Sequence, residues 1–279
     1  MSAGESEAGE SQSIRLLLAD VDGTLVTPEK ELTEAAVAAV RELDEAGIVF
    51  ALTSGRPPRG MAMLVEPLRV NTPIAAFNGG ELVSPEDMSV IEQHTIPDAL
   101  LSPIVSLLSD HQLDVWMYQG SDWYVLDPDV PHVDREAATV QFPPTVRADY
   151  EGLRDVAKIV GVSDDYDKVQ RCEAEAQAAF GDRATANRSQ PYYLDVTNKN
   201  ANKGAVVAYL SDRMGIPAEE IATIGDQPND VLMFKRSGLS IAMGNASDEV
   251  KAQAAATTDS YNDEGFAKAM ERFILGSTV

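Results

Sequence analysis

The sequence predicts an α/β fold, a Rossmann-like parallel-sheet core interrupted by an α+β insert. Three observations predict it. Unbroken apolar runs of strand length alternate with amphipathic helical stretches at the start of the chain, and the same rhythm returns near its end. Between the two lies a segment of alternating, aromatic-rich stretches with a different pattern. A parallel strand covered by helices on both faces reads as a continuous apolar run, whereas a half-buried antiparallel strand alternates.

Taken in order, residues 1–13 (MSAGESEAGESQS) carry neither a basic nor an apolar region and read as a disordered tail, not a signal peptide. The first part of the core spans 14–83. IRLLLAD is a buried strand. In LTEAAVAAVRELDEAG, Val37, Val40 and Leu43 share one helical face, with Thr33 as N-cap and Gly47 just past the end. IVFALTSGR and TPIAAFNGG are further buried strands, ending in Ser-Gly and Asn-Gly-Gly. The insert spans 84–196. LDVWMYQGSDWYVLD reads as two antiparallel strands about a glycine turn, AKIVGV and YYLDVT as two more, and helices are expected near 98–110 and 163–180. The second part of the core, 197–279, opens with an amphipathic helix (Val206, Val207, Leu210, Met214) closed by Gly215. The strands EIATIGD and GLSIAMG follow, then shorter helices near 246–255 and 264–275.

Composition excludes several classes of function. There are 45 acidic against 22 basic residues, a net charge of −23, and nucleic acid or an anionic membrane requires the opposite sign. No apolar run approaches the roughly 18–20 residues of a membrane span. The single cysteine, Cys172, precludes an intrachain disulfide; it falls in a helical stretch and reads as inert. A cytoplasmic protein, monomer or homodimer, is the default expectation. An anionic substrate would need local help from a metal, a lysine or backbone N–H groups.

In a parallel sheet the carboxyl ends of the strands share one edge, where ligands bind. The residues that end these strands are polar: Asp20 and Asp22, Ser54 and Gly55, Asn78 and Gly79, then Asp226, Asn229 and Asp230 of GDQPND, with Lys203 opening a helix of the same half. At least four carboxylates and one lysine are therefore expected in one site. Clustered carboxylates repel unless a cation joins them, and oxygen ligands with room for water and phosphate suit Mg²⁺. His94, His111 and His132 are isolated and lack zinc-ligand spacing. Mg²⁺ with a lysine on a βα edge points to phosphate chemistry, and Ser54–Gly55 opens a turn whose N–H groups can hold phosphate oxygens. Neither a P-loop nor a G-x-G-x-x-G occurs, which excludes the usual nucleotide triphosphatases and dinucleotide dehydrogenases.

DVDGTL, TSGR, NKG and GDQPND, in this order and spacing, resemble the four motifs of the haloacid dehalogenase-like (HAD) phosphohydrolases. The block IGDQPNDVLMFKRSGLSIAMGNASDEVKAQA looks like the Cof-type branch, subfamily IIB, and the insert lies where that branch carries its C2B cap. The resemblance covers nearly all of residues 14–275. It implies Asp20 as nucleophile, forming an aspartyl-phosphate, and Asp22 as general acid and then base, with its backbone carbonyl on the metal. It implies Ser54 as a donor to the phosphoryl group, Lys203 as a charge-neutralising residue, and Asp20, Asp226 and, directly or through water, Asp230 as ligands of Mg²⁺. Strand alternation places residues i and i+2 on one side, so Asp20 and Asp22 can face the same phosphoryl group.

Around this set, Gly55, Arg56, Asn78, Asn202 and Asn229 are candidate substrate-binding residues. Arg56 reads equally as an exposed loop arginine, and Asn78 and Asn202 as loop-shaping residues. Trp116 and Tyr118 fall on one strand face and read as core. His132 reads as a surface loop residue. The expected activity is Mg²⁺-dependent hydrolysis of small phosphomonoesters, sugar phosphates first, then pyridoxal phosphate, FMN and similar metabolites. The alternatives are a phosphomutase of the phosphomannomutase type and a catalytically silent regulator on the same fold.

Overall fold

The computed structural model describes residues 13–277, so the tail expected over 1–13 lies, Ser13 apart, outside the described residues. The chain begins β1 (Leu16–Asp20), α1 (Glu34–Glu45), β2 (Val49–Thr53), α2 (Ala62–Leu68), β3 (Ile74–Ala76), β4 (Glu81–Val83) and β5 (Val90–Gln93). The insert follows with α3 (Asp98–Asp110), β6 (Asp114–Gln119), β7 (Asp122–Val125), α4 (Val133–Val140), β8 (Thr145–Val146), β9 (Val156–Val162), α5 (Tyr166–Phe180), β10 (Ala184–Gln190) and β11 (Tyr193–Asn198). The chain then returns through α6 (Lys203–Met214), β12 (Ile221–Gly225), α7 (Val231–Phe234), β13 (Leu239–Ala242), α8 (Asp248–Lys251), β14 (Ala256–Thr257) and α9 (Gly265–Ala269).

Two sheets result. The first has the order β14-β13-β12-β1-β2-β3-β4-β5, parallel from β14 to β3. β1 lies inside it between β12 and β2, and its side chains divide by parity. Leu17 and Ala19 pack towards α1, α2 and α9, Leu16 and Leu18 towards α6 and α7. This two-sided burial is why the strand is apolar without alternation, each large side chain contributing about 1.5–3 kcal/mol. The helix ends obey local chemistry. Thr33 Oγ1 accepts the Ala36 N–H at 3.1 Å, and Gly215 takes the left-handed conformation (φ 63°) that closes α6.

The second sheet, β10-β11-β9-β6-β7-β8, is antiparallel except between β7 and β8. Its two faces differ. Met117, Ile159, Leu194 and Val196 pack beneath α3 and α5 together with buried Cys172, whose thiol burial pushes up to about 11. Trp116, Tyr118, Trp123 and Val160 turn the other way, onto Ala76 and Phe77 at the end of β3. Trp116 and Tyr118 are thus core, as expected, but in a core shared with the first sheet: the Phe77 and Tyr118 rings lie 5.6 Å apart, edge to face. The inner face of the second sheet therefore covers the carboxyl edge of the first.

Several expectations are corrected. Residues 84–93, assigned by the sequence to the insert, instead form a hairpin on the first sheet, where β5 pairs antiparallel with β4. Every side chain of β5 is exposed, so it lacks the apolar run by which the other strands of that sheet are recognised. Helix α4 and strand β10 have no counterpart in the sequence reading. No side chain caps the start of α4, where His132 is left-handed, and β10 is a polar edge strand. Of the two C-terminal helices, α8 is only four residues long, and α9 runs on into a π-turn at Met270–Ile274.

Glu81 on β4 is fully buried, and neither carboxylate oxygen has a hydrogen-bond partner among the described residues. Burial pushes its pKa up to about 7. Below about pH 4.5 the carboxyl is protonated folded or unfolded, and above that the unfolded chain ionises first. Stability is therefore lost as pH rises from 4.5 towards 7, on the order of 3 kcal/mol for a shift of this size. Glu81→Gln should remove that component. Its denaturant midpoint should exceed that of wild type at pH 8 and match it near pH 4; equal midpoints at pH 8 would show that Glu81 is not buried ionised.

Candidate active site

Asp20 is the last residue of β1 and is buried at the carboxyl edge of the first sheet. The chain turns at once: the N–H groups of Thr24, Leu25 and Val26 all point at the Val21 carbonyl. Gly23 has φ +83° and lies so near Asp226 that a Cβ there would stand 2.4 Å from Asp226 Oδ2. Glycine is therefore required both by the turn and by the close approach of the β12 loop.

Lys203, the first residue of α6, has an ammonium at the N-terminal end of a helix, where the dipole disfavours it. Two carboxylates compensate: Nζ donates to Asp20 Oδ1 at 2.6 Å and to Asp230 Oδ1 at 2.5 Å. Burial works against its charge, but these two anions outweigh it and hold the ammonium protonated well above the usual lysine range. Asp230 Oδ2 in turn accepts the backbone N–H groups of Asp226 and Gln227, both at 2.9 Å. Asp226 Oδ2 accepts Gln227 Nε2 at 2.8 Å and Asn245 Nδ2 at 3.1 Å. Asp226 Oδ1 is buried and has no partner among the described residues.

Carboxylate oxygens of Asp20, Asp226 and Asp230 all lie within 4.8 Å of one another. Burial, reinforced by mutual repulsion, raises Asp20 well above the usual carboxylate range, with Lys203 opposing, and raises Asp226 to about 7. One ammonium thus leaves the three carboxylates short of positive charge. The all-oxygen donor set and the unpartnered Asp226 Oδ1 fit a hard divalent cation.

Asp22 departs from expectation. Of the four carboxylates expected in one site, Asp20, Asp226 and Asp230 come together, while the Asp22 side chain, in the same cavity, meets two cations. Arg56 Nε and Nη2 reach it at 2.8 Å each, and Lys30 Nζ at 2.7 Å. β1 ends at Asp20, so Asp22 lies in the turn beyond the strand, yet both residues line one cavity. Burial disfavours the charge of Asp22, but Arg56 and Lys30 outweigh it and hold the carboxyl well below its usual range. Arg56 is itself buried, its Nη1 donating to the Gly60 carbonyl at 3.2 Å, and is not the exposed loop arginine that was one of its two readings.

Ser54 and Gly55 follow β2. Ser54 Oγ accepts the Arg56 N–H at 3.2 Å, which leaves its own O–H to donate. Asn78 is left-handed (φ 59°), and its Oδ1 accepts Asn229 Nδ2 at 3.1 Å. Asn202 does not join them. It caps α6, its Oδ1 accepting the Ala205 N–H at 2.9 Å, so the loop-shaping alternative describes it. His132 packs its ring on Tyr192 at 4.1 Å and meets Asp164.

A cavity of about 330 Å³ opens over these groups. Its floor includes Asp20, Asp22, Ser54, Gly55, Arg56, Asn78, Lys203, Asp226 and Asn229; its roof, from the second sheet and α4, includes Glu136, Lys158, Tyr193 and Asp195. Sequence reasoning missed Lys30, Asn245 and the roof. Asn245 follows β13 on the same edge, so the strand-end criterion could have found it. The roof residues could be found only by knowing which face of the second sheet turns inward.

A family model described as haloacid dehalogenase-like hydrolase matches residues 17–270. The chain is 26% identical to a 5-amino-6-(5-phospho-D-ribitylamino)uracil phosphatase of Bacillus subtilis, over 95% of this chain and 98% of the relative. It is 27% identical to a pyridoxal phosphate phosphatase of Escherichia coli, over 86% and 91%. Among solved structures, a haloacid dehalogenase-like hydrolase from Bacteroides thetaiotaomicron superposes with a TM-score of 0.84 at 29% identity, covering 93% of this chain and 99% of that one.

The acidic triad depends on backbones that approach closely. A Cβ on Gly225 would stand 2.3 Å from Asp230 Cγ. Gly225→Ala should lower stability by about 1–3 kcal/mol, read as a drop in melting temperature. A melting temperature equal to that of wild type would show that the strand end and Asp230 are not in contact.

Proposed function

The chain belongs to the haloacid dehalogenase-like hydrolases, and from that premise we propose that it is a Mg²⁺-dependent phosphatase of small phosphomonoesters, sugar phosphates foremost, acting through an aspartyl-phosphate. The observation that carries this is the cavity floor. A buried aspartate faces open volume beside a buried ammonium, and beside it lies a carboxylate oxygen, Asp226 Oδ1, with no hydrogen-bond partner among the described residues.

Asp20 would attack phosphorus, forming an O–P bond as the ester P–O bond breaks, and water would then hydrolyse the acyl-phosphate. Lys203 holds one Asp20 oxygen in place and supplies fixed positive charge against that of the phosphoryl group. Ser54 O–H and the N–H groups of the turn at Gly55 would donate to phosphoryl oxygens. Asp20, Asp226 and Asp230, with the Asp22 carbonyl implied by the resemblance, would hold Mg²⁺. When bound, the ion would neutralise the clustered carboxylates and polarise the phosphoryl group.

Asp22 is the residue assigned to proton transfer. Clamped by Arg56 and Lys30 it is a carboxylate, the form that takes a proton from the hydrolytic water. Giving a proton to the leaving alkoxide requires a rearrangement that loosens those two cations. Asn78 and Asn229, tied to each other beside the Gly55 turn, would orient the substrate. Substrates of the relatives, a ribitylaminouracil phosphate and pyridoxal phosphate, support a small soluble ester.

Asp20→Asn should reduce turnover of p-nitrophenyl phosphate with Mg²⁺ by at least about a thousandfold. Undiminished turnover would refute the nucleophile assignment. Exhaustive chelation should abolish wild-type turnover and added Mg²⁺ restore it; turnover that survives chelation would remove the ion from the mechanism. Stoichiometric release of inorganic phosphate from hexose phosphates is expected. Isomerised hexose phosphate with little free phosphate would instead identify a phosphomutase.

A further inference from the structure

The second sheet presents to the cavity a carboxylate that none of the chemistry above uses. Asp195 lies on the inner face of β11, between Tyr193 and Thr197 by strand alternation, and only 9% of its surface is exposed. It lines the cavity. Its Oδ1 has no hydrogen-bond partner among the described residues, and its Oδ2 lies 3.7 Å from Lys158 Nζ, beyond hydrogen-bond distance. Lys158 has other ties. Its ammonium donates to the Gly55 carbonyl at 3.1 Å and sits 4.6 Å over the Tyr118 ring. The Tyr193 hydroxyl, on the same face, is also buried and has no hydrogen-bond partner among the described residues.

We propose that Asp195 determines the specificity of this site, its carboxylate accepting hydrogen bonds from hydroxyl groups of a polyhydroxylated leaving group; this rests on the phosphatase reading above. A buried carboxylate offers about four acceptor positions, and leaving them empty is unfavourable. An apolar leaving group would leave Asp195 Oδ1 dry and without a hydrogen bond, its Oδ2 held only by the ion pair with Lys158. A leaving group with a second anion would stand against both Asp195 and Glu136, the latter already holding the Tyr118 hydroxyl at 2.7 Å. A neutral, hydroxyl-rich leaving group supplies the missing donors and brings no like charge. The placement suits this role: a single ammonium, that of Lys158, separates Asp195 from the Gly55 turn. The part of an ester just beyond a phosphoryl group held at the Gly55 turn would then pass beside the carboxylate.

The test compares a hexose 6-phosphate with n-hexyl phosphate, two primary alkyl esters that differ in hydroxyls. Wild type should favour the hexose ester in kcat/KM by about tenfold or more, as for a site built to bond a substrate hydroxyl. In Asp195→Ala that ratio should fall towards one, with the loss concentrated in KM for the hexose ester. A merely structural role would depress both esters alike and leave the ratio unmoved. Asp195→Asn keeps the side-chain volume, carries the same test if the alanine variant does not fold, and should lower the ratio less. A wild-type ratio near one, or a ratio unchanged in a folded variant, overturns the inference while leaving the phosphatase reading intact. Failure of wild type to hydrolyse p-nitrophenyl phosphate, hexyl phosphate and hexose phosphate alike overturns both.

Discussion

The site depends on one buried ammonium. Lys203 bridges Asp20 and Asp230, residues 183 and 27 positions away, and so ties the first strand, the sixth helix and the loop after β12 to a common point. Each partner alone would be an expensive thing to bury. Together they are a charge-assisted network in which removing one member strands the others, a loss of about 3–5 kcal/mol for such pairs. The network is also unbalanced, because three carboxylates face one ammonium. That imbalance makes the arrangement a place for a cation rather than a structural salt bridge. The glycines at 23 and 225 belong to the same constraint, since any side chain there would occupy the space of Asp226 or Asp230.

The second constraint is that the floor and roof of the cavity come from different sheets. The insert packs its outer face against its own helices and its inner face against Phe77, so its inward aromatic residues belong to a core shared with the first sheet. Lys158 adds a polar contact by reaching from β9 to the Gly55 carbonyl, within the turn assigned to the phosphoryl group. The floor and the roof thus meet at residues 54–56. Arg56 extends the connection to Asp22, whose charge it stabilises from within the protein.

The parallel strands and most of the floor were legible because their signals are local. A strand buried on both faces is apolar throughout, and the polar residue that ends it is conspicuous; Asp20, Ser54, Asn78 and Asp226 were found in this way. Where burial was absent, the signal was absent too. β5 exposes every side chain and was assigned to the insert, and α4 begins without a capping side chain and was missed. Asn202 shows the converse limit, since an asparagine before a helix reads alike as a ligand-binding residue and as a cap, and the distance to the Ala205 N–H decides between them.

By itself the sequence determined the α/β class, the insertion and the identity of the residues at the carboxyl edge, because strand periodicity and strand ends are properties of short segments. Only the tertiary structure decided which charges meet. It gave Asp22 to Arg56 and Lys30 rather than to the other three carboxylates, and it turned Asp195 and Lys158 inward over the cavity. Those pairings join residues tens to hundreds of positions apart, and their energies depend on distance and burial, which no local pattern encodes.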